Sequence, residues 1–285
     1  MSLEQLLEQQ RKEKLYRKNP ELQFPAALPE DVLEEFKTPS KSDVRITFIV
    51  PFRGANRLSQ LNKCINNLIE RYPNCEILLI EDSNAPVIKQ AIPDARYMFV
   101  YNKKLFNKSK CFNIGFLAAT NDVICGIDAD MLIPSTLIDL TINKINEDKV
   151  VFPGREIYYA YEWIDPKDLT QKFWYHKTWT RDRATTQFHG GIFICNKKTY
   201  AKVGGFDQRF EGYGSEDTSF YMRCVESKNN ADTTRVMDLI HIDHDYDEVE
   251  QHAIETNRRL LIIYSRVNAD ERIIDCKKHN IFHNS

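Results

Sequence analysis

Val123-Ile124-Cys125-Gly126-Ile127-Asp128-Ala129-Asp130 closes an apolar run with two carboxylates one residue apart, and the chain turns at once through Leu132-Ile133-Pro134-Ser135. The run has the length and apolar content of a buried strand. A strand that ends this way sets a hard-cation site at its carboxyl edge, where open α/β sheets bind ligands. Carboxylate oxygens suit Mg2+ or Mn2+, ions that keep waters and take substrate phosphates as further ligands. Alone, such a pair is as readily the start of a solvated turn, so its meaning rests on its surroundings.

Upstream, the pattern is regular. Ile46-Thr47-Phe48-Ile49-Val50 reads as a buried strand, and Leu58, Leu61, Ile65, Leu68 and Ile69 recur at helical spacing. Glu76-Ile77-Leu78-Leu79-Ile80 is a second strand, closed by Glu81-Asp82, and Tyr97-Met98-Phe99-Val100 a third; residues 109–119 form a helix leading to the Val123 strand. Strands alternating with helices imply parallel pairing and right-handed crossovers, hence an α/β class with a mostly parallel central sheet.

Downstream, residues 151–186 are rich in Tyr, Trp and Phe, read as core or cover, with some placed to stack on sugar rings. Gly190 to Cys195 is a strand with close backbone approach at its start. A short helix ends at Gly204-Gly205, where left-handed geometry is easy. Ser215 is placed to N-cap a helix from Glu216 to Glu226. Val236–Ile242 is a further strand and residues 248–266 a final helix. Leu3, Leu6 and Leu7 at helical spacing, then Pro20, Pro25, Pro29 and Pro39, predict an N-terminal amphipathic helix and an extended linker. That helix packs on the domain or frays; the alternative is contact with a partner or a membrane surface. The division expected is 1–42 as helical/linker extension, 43–250 as the main domain, and 251–285 as a helix and tail packed on it.

With 285 residues, 42% of them hydrophobic, the chain can bury one large α/β core or two small ones. Lys and Arg total 39 against 41 Asp and Glu, a net charge of -2, which argues against a general nucleic-acid footprint. Seven cysteines are scattered without a C-x-x-C pair, which predicts reduced core thiols and not a disulfide or zinc framework. No apolar run reaches the length of a membrane span. The expected setting is cytoplasmic, with peripheral contact at the inner face of a membrane open to residues 1–42.

Polar residues gather where strands end or helices begin: Arg53 after the first strand, Glu81-Asp82 after the second, Asp128 and Asp130 after the fourth. Glu216-Asp217 open a helix behind a glycine-rich stretch, and His241 and His244 follow a late strand. In a parallel sheet these ends converge on one crevice. The set suits group transfer from a nucleotide diphosphate, with a metal neutralising the leaving group and Glu216 or Asp217 taking the proton from an attacking hydroxyl. A neutral imidazole from His241 or His244 can complete the metal's shell. His189 is more ambiguous.

Pro51-Phe52-Arg53, the run from Phe106 to Phe116, the Ile127–Pro134 segment, and Gly204-Gly205-Phe206 with Gly212-Tyr213-Gly214-Ser215-Glu216-Asp217 resemble, in order and spacing, the β-1,4-galactosyltransferases and the related bacterial chondroitin-polymerase-type glycosyltransferases. The resemblance covers roughly residues 45–250 and implies a GT-A fold, a UDP-sugar donor, a saccharide or glycoconjugate acceptor, Mn2+ (or Mg2+) and inversion at the anomeric carbon. It further implies that Asp130 and His244 ligate the metal and that Asp128 supports them or meets the ribose. Arg53 and Asp82 would contact the nucleotide, Pro51 would shape the turn, and Lys110 and Asn113 would line the donor pocket. Gly191 and Glu216 would face the donor sugar, Asp217 would be the base, and Tyr213 stands where the animal enzymes have a tryptophan. His241 replaces a methionine ligand, giving a site richer in nitrogen, and Phe188 stands near a position that helps choose between galactose and N-acetylgalactosamine. The expected activity is transfer of one of these sugars from UDP to a saccharide hydroxyl. The alternatives are an inactive carbohydrate- or UDP-binding module of the same fold, and a sugar-nucleotide pyrophosphorylase. The latter expects a Gly-rich phosphate loop after the first strand, where only Gly54 follows Arg53.

Overall fold

The structure, a computed structural model, describes residues 28–160, 167, 169, 174–176, 190–227, 231–232, 235–244 and 253–280. The first half runs α1 (Glu30–Lys37), β1 (Ile46–Phe52), a 3-10 turn at Ala55–Arg57, α2 (Leu58–Arg71), β2 (Glu76–Ser83), β3 (Ala95–Tyr101), α3 (Lys108–Ala118) and β4 (Val123–Ile127). The second runs β5 (Met131–Leu132), α4 (Leu137–Asn146), β6 (Val150–Val151), β7 (Gly154–Ala160), β8 (Trp174–His176), β9 (Ile192–Asn196), α5 (Lys197–Lys202), α6 (Glu216–Glu226), β10 (Ala231–Asp232), β11 (Met237–Ile242), α7 (Ala253–Ser265) and α8 (Ala269–Lys278).

β1 is buried along its whole length because it has a parallel neighbour on each side: Phe48 stands opposite Ile77 of β2 and opposite Cys125 of β4. The main sheet has the order β10-β6-β9-β4-β1-β2-β3, parallel from β3 to β4, with β9 antiparallel to both β4 and β6. Successive side chains of β1 point to opposite faces. Phe48 and Val50 join Leu61, Ile65 and Leu68 of α2; Ile49 joins Phe112 and Phe116 of α3 with Phe193, Tyr200, Phe206 and Phe220. Two glycines permit the tight packing on the second face. A Cβ on Gly115 would lie 2.2 Å from Ile49 Cγ2, and one on Gly126 would lie 2.1 Å from the Phe193 ring. A smaller sheet, β5-β11-β7-β8, carries the chain back past the end of β4.

The expected α/β class and mostly parallel central sheet are thus present. Three details differ. The expected linker contains α1, whose Val32 and Phe36 are buried against Leu132, Ala160, Ile240 and Ile242 of the smaller sheet. Eight residues, four of them Glu or Asp, give too short a hydrophobic pattern to separate from a solvated linker. The C-terminal tail holds a second helix, α8, capped by Asn268, whose side chain accepts from Glu271 N–H at 2.9 Å. Ser215 sits at φ 72° and makes no side-chain cap to α6, because a left-handed residue does not have the extended backbone of a capping Ser.

All seven cysteines are free, six of them buried. Among the described residues no helix is long and apolar enough to cross a membrane. The expected helix near Leu3–Tyr16, the aromatic side chains after Tyr159 in 151–186, Phe188 and His189 lie outside the described residues.

Candidate active site

β4 ends at Ile127 and the backbone then folds over itself. Asp128 N–H donates to the Gly191 carbonyl (2.9 Å) and Met131 N–H to the Asp128 carbonyl (3.2 Å). β5 then pairs antiparallel with β11, Met131 opposite His241, and Ile242 N–H donates to the Asp130 carbonyl (2.8 Å). This register sets His241 beside Asp130. His241 Nε2 lies 3.5 Å from Asp130 Oδ1, and His244 Nε2 lies 3.0 Å from Asp130 Oδ2. One ligand atom from each of Asp130, His241 and His244 lies within 4.8 Å of the others.

The electrostatics of this trio suit a cation. Burial lowers the His241 pKa, against the pull of Asp130, leaving at neutral pH the uncharged imidazole that ligates metals. Burial alone would raise the Asp130 carboxyl, but His241, His244 and Arg57 outweigh it and hold the acid well below its usual range. Asp130 Oδ1 and His241 Nδ1 are buried with no hydrogen-bond partner, a cost that a ligand would remove. One carboxylate and two imidazoles fit Mn2+ or Mg2+, the nitrogen donors favouring Mn2+. Arg57 also reaches this carboxylate, its Nη1 3.3 Å from Asp130 Oδ2.

A second cluster adjoins the first through Asp128. Lys108, the first residue of α3, places Nζ 2.8 Å from Glu216 Oε1, 2.9 Å from Asp217 Oδ2 and 3.4 Å from Asp128 Oδ1. Burial opposes the ammonium charge, but the three carboxylates outweigh it and hold Lys108 well above its usual range. One cation cannot satisfy three acids. Burial pushes Asp217 up, and the charges of Glu216 and Asp128 add to this beyond what Lys108 offsets, to about 8. Asp128 is raised for the same first reason. Glu216, with the shortest contact to Lys108, is lowered although burial works against it. Gly190 lets Asp217 in close: a Cβ there would lie 3.0 Å from Asp217 Oδ2.

At the ends of β1 and β2, Arg53 donates to the carbonyls of Asp82 (3.2 Å) and Lys104 (2.7 Å), with Nη1 3.7 Å from Asp82 Oδ2. Asp82 accepts from Asn107 N–H (2.9 Å) and Asn102 Nδ2 (2.7 Å), while its Oδ1 is buried without a partner. Glu81 faces the other way and secures the loop after β2, accepting from Val87 N–H (2.9 Å) and Tyr97 Oη (2.7 Å).

The structure therefore brings together Arg53 with Asp82, Asp130 with His241 and His244, and Asp128 with Glu216 and Asp217. It corrects the turn expected at Pro51 and sets the other residues in the following surroundings. Pro51 lies inside β1 opposite Ile80 and shapes no turn; Gly54, at φ 91°, makes it. Asn113 is fully buried. Its Nδ2 donates to the Phe206 carbonyl (2.8 Å), while its Oδ1 accepts from Tyr200 Oη (2.7 Å) and Phe206 N–H (3.0 Å), so its polar atoms are committed to the core. Lys110 donates its amide to the Asn107 cap (2.8 Å), and the lysine among the carboxylates is Lys108. Gly191, at φ 77°, anchors the Asp128 turn, whereas Gly190 abuts Asp217. Tyr213 is 47% exposed between two left-handed glycines, Gly212 and Gly214. Lys108 and Arg57 were missed by sequence reading. The available signal for Lys108 was its place: a lysine in the first turn of a helix opposes the dipole unless acids elsewhere hold it.

Comparison with known proteins matches the glycosyl transferase family 2 model to residues 47–208, more than half of the chain. The chain belongs to glycosyl transferase family 2. The segment that marks this family 2 member runs from β1 through the Asp128-Asp130 turn to the glycine-rich stretch. A second model, described as the N-terminal domain of galactosyltransferase, matches 173–245, the span that holds Glu216, Asp217 and both histidines. Xylosylprotein 4-beta-galactosyltransferase of Caenorhabditis elegans is 28% identical over 134 residues, 47% of this chain and 39% of the relative. Beta-1,4-galactosyltransferase 7 of Homo sapiens is 28% identical over 120 residues, 41% of this chain and 29% of the relative. The matches thus span less than half the length of these curated relatives. A crystal structure of GalNAc-T7 with UDP, GalNAc and Mn2+ superposes with a TM-score of 0.52 at 16% identity, covering 72% of this chain and 45% of that one. This likeness bears on the fold, which is GT-A.

Proposed function

We propose that this chain is an inverting, metal-dependent glycosyltransferase that moves galactose or N-acetylgalactosamine from a UDP-sugar to a saccharide hydroxyl. The observation that carries the reading is the meeting, at the end of β4, of the Asp130–His241–His244 trio with the buried Lys108–Glu216–Asp217 cluster. Family membership, the galactosyltransferase names of the relatives and the UDP and Mn2+ bound by GalNAc-T7 support it.

Asp130, His244 and His241 would hold the cation, which supplies charge neutralisation for the departing diphosphate. Arg53 and Asp82 would hold the nucleoside end of the donor, with the partnerless Asp82 Oδ1 able to accept a hydrogen bond from a nucleoside hydroxyl. Asp217 would take the proton of the attacking acceptor hydroxyl. The new bond joins the acceptor oxygen to the anomeric carbon, the bond from that carbon to the diphosphate oxygen breaks, and UDP leaves. A single displacement from the face opposite the leaving group inverts the centre. Glu216 and Lys108 would fix Asp217 in place, and Tyr213 would offer its exposed ring to a sugar.

The testing experiment measures the thermal midpoint with UDP-galactose, UDP-N-acetylgalactosamine, UDP-N-acetylglucosamine, UDP-glucose and GDP-mannose, with Mn2+ and with chelator. A ligand at about 100 times its Kd adds about 2.7 kcal/mol, a rise of roughly 5–10 °C for a large domain. A Mn2+-dependent rise confined to UDP-sugars, and lost in Asp130→Ala, is expected. No rise with any UDP-sugar rejects the reading. The relatives' name, xylosylprotein, makes an aryl xyloside the first acceptor to try.

A further inference from the structure

The glycine-rich stretch that leads into Glu216 and Asp217 has little backbone preference of its own. Gly204, Gly205, Gly212 and Gly214 all have positive φ, as does Ser215 at 72°. Glycines lose the most conformational freedom on folding, and a left-handed non-glycine persists only where its surroundings hold it. Something outside the stretch must choose its geometry.

The C-terminal helices do so at both ends. From α8 and the turn after it, Cys276 Sγ donates to the Gly204 carbonyl (3.4 Å) and Asn280 Nδ2 to the same oxygen (2.6 Å). Arg209 pairs with Asp275 (2.9 Å) and lies 4.7 Å from the centroid of the Tyr264 ring of α7. At the far end, α7 supplies one residue, Asn257, only 2% exposed. Its Nδ2 donates to the carbonyls of Glu211 (2.9 Å) and Tyr213 (3.2 Å). Both amide protons are therefore used on the two peptides that bracket Gly212-Tyr213. The Gly212 N–H donates to the Phe106 carbonyl (2.7 Å), two residues before Lys108, and Ile254 of α7 lies 3.8 Å from where a Gly214 Cβ would be.

We propose that Asn257 is a positioning residue for the sugar-transfer site. By gripping the Glu211 and Tyr213 carbonyls it sets where Tyr213 is presented and how the chain enters α6, hence where Glu216 and Asp217 meet the acceptor. This rests on the proposed glycosyl transfer. It assigns the C-terminal helices, which lie beyond both family matches, a part in the chemistry and not only in packing.

The test compares the wild-type chain with Asn257→Leu, which keeps the branched shape at a larger volume and removes both donors. Three quantities are read: the Mn2+-dependent thermal shift with UDP, hydrogen exchange of amides 211–217, and turnover of UDP-galactose with an aryl xyloside, or with water where no xyloside reacts. Expected are an unchanged UDP shift and donor KM, at least tenfold faster exchange at Gly212, and at least tenfold lower kcat or higher acceptor KM. Asn257→Ser, with one hydroxyl donor, should fall between the two, and it replaces the Leu variant if that one fails to fold. Unchanged turnover with an intact UDP shift overturns the proposal, whether or not exchange changes. A wild-type chain with no UDP shift rejects glycosyl transfer instead, and is distinguishable because the exchange measurement needs no nucleotide.

Discussion

Asp217 shares one ammonium with Glu216 and Asp128, and three carboxylates around one cation in a buried site do not all keep their charge. The pKa of Asp217 near 8 means that the metal-free, donor-free protein holds a proton there at neutral pH. A base must first lose it, so kcat/KM, which reports free-enzyme groups, should rise with pH through a limb above the ordinary carboxylate range, drawn below 8 by the positive charge of bound Mn2+. Asp217→Asn should lower transfer by about 10²–10⁴-fold while keeping the UDP-dependent thermal shift; normal turnover would reject Asp217 as the base. The same shift acts on stability. The folded pKa lies above the unfolded value near 4, so the folded state binds the extra proton between these limits and metal-free stability drains away as pH rises from about 4 to 8. Asp217→Asn should lack this component, visible as a gap between the two thermal midpoints that changes over that window. Lys108→Met should leave three acids without their cation. Breaking one side of a buried ion pair costs about 3–5 kcal/mol, and the loss of the one group opposing protonation should move the limb to higher pH. A limb that stays in place would reject Lys108 as the group that sets it.

Strands and helices were legible where side-chain period and burial agree. β4 was read with its observed limits, Val123–Ile127, and α6 with its own, Glu216–Glu226, because an apolar run or an acidic first turn is a local signal. The carboxyl-edge site followed, since a parallel sheet gathers strand ends. α1 was illegible because Val32 and Phe36 acquire meaning only when β11 and β7 supply the surface they cover. Lys108 was passed over for Lys110 because facing depends on where α3 sits over β1 and β2, a tertiary fact. Glycine is where element packing becomes testable. The Gly126 position faces the Phe193 and Phe112 rings, 2.1 and 2.7 Å from a built Cβ. Neither ring is the end of a flexible chain, so Gly126→Ala should destabilise by at least about 1–3 kcal/mol. The measurement is the denaturant midpoint at unchanged m-value; an unshifted midpoint would mean that the face of aromatic rings yields at little cost.

At the scale of the molecule, the two sheets meet at the candidate metal site, and α1 lies on the back of the smaller one. Ile240 and Ile242, which flank His241, and Leu132, two residues after Asp130, all pack in the cluster that Val32 and Phe36 close. Arg155 ties the same helix down, bonding Glu35 (2.6 Å) and Asp238 (2.8 Å). The strands that carry the metal ligands are thus braced from behind by a segment preceding residue 43, where sequence reading began the main domain. Phe36→Ala should cost about 3–5 kcal/mol, as truncation of a fully buried aromatic does, while Glu34→Ala on the exposed face of the helix should stay within about 0.5 kcal/mol. If the brace matters to the site, Phe36→Ala should also weaken the Mn2+-dependent UDP shift more than Gly126→Ala does, although both lower stability. Glycine 126 packs the opposite face of the large sheet, and its aromatic cluster leaves the His241 strand untouched. Equal losses of the UDP shift in the two variants would mean that metal-site geometry follows overall stability and not the support that α1 gives to β11.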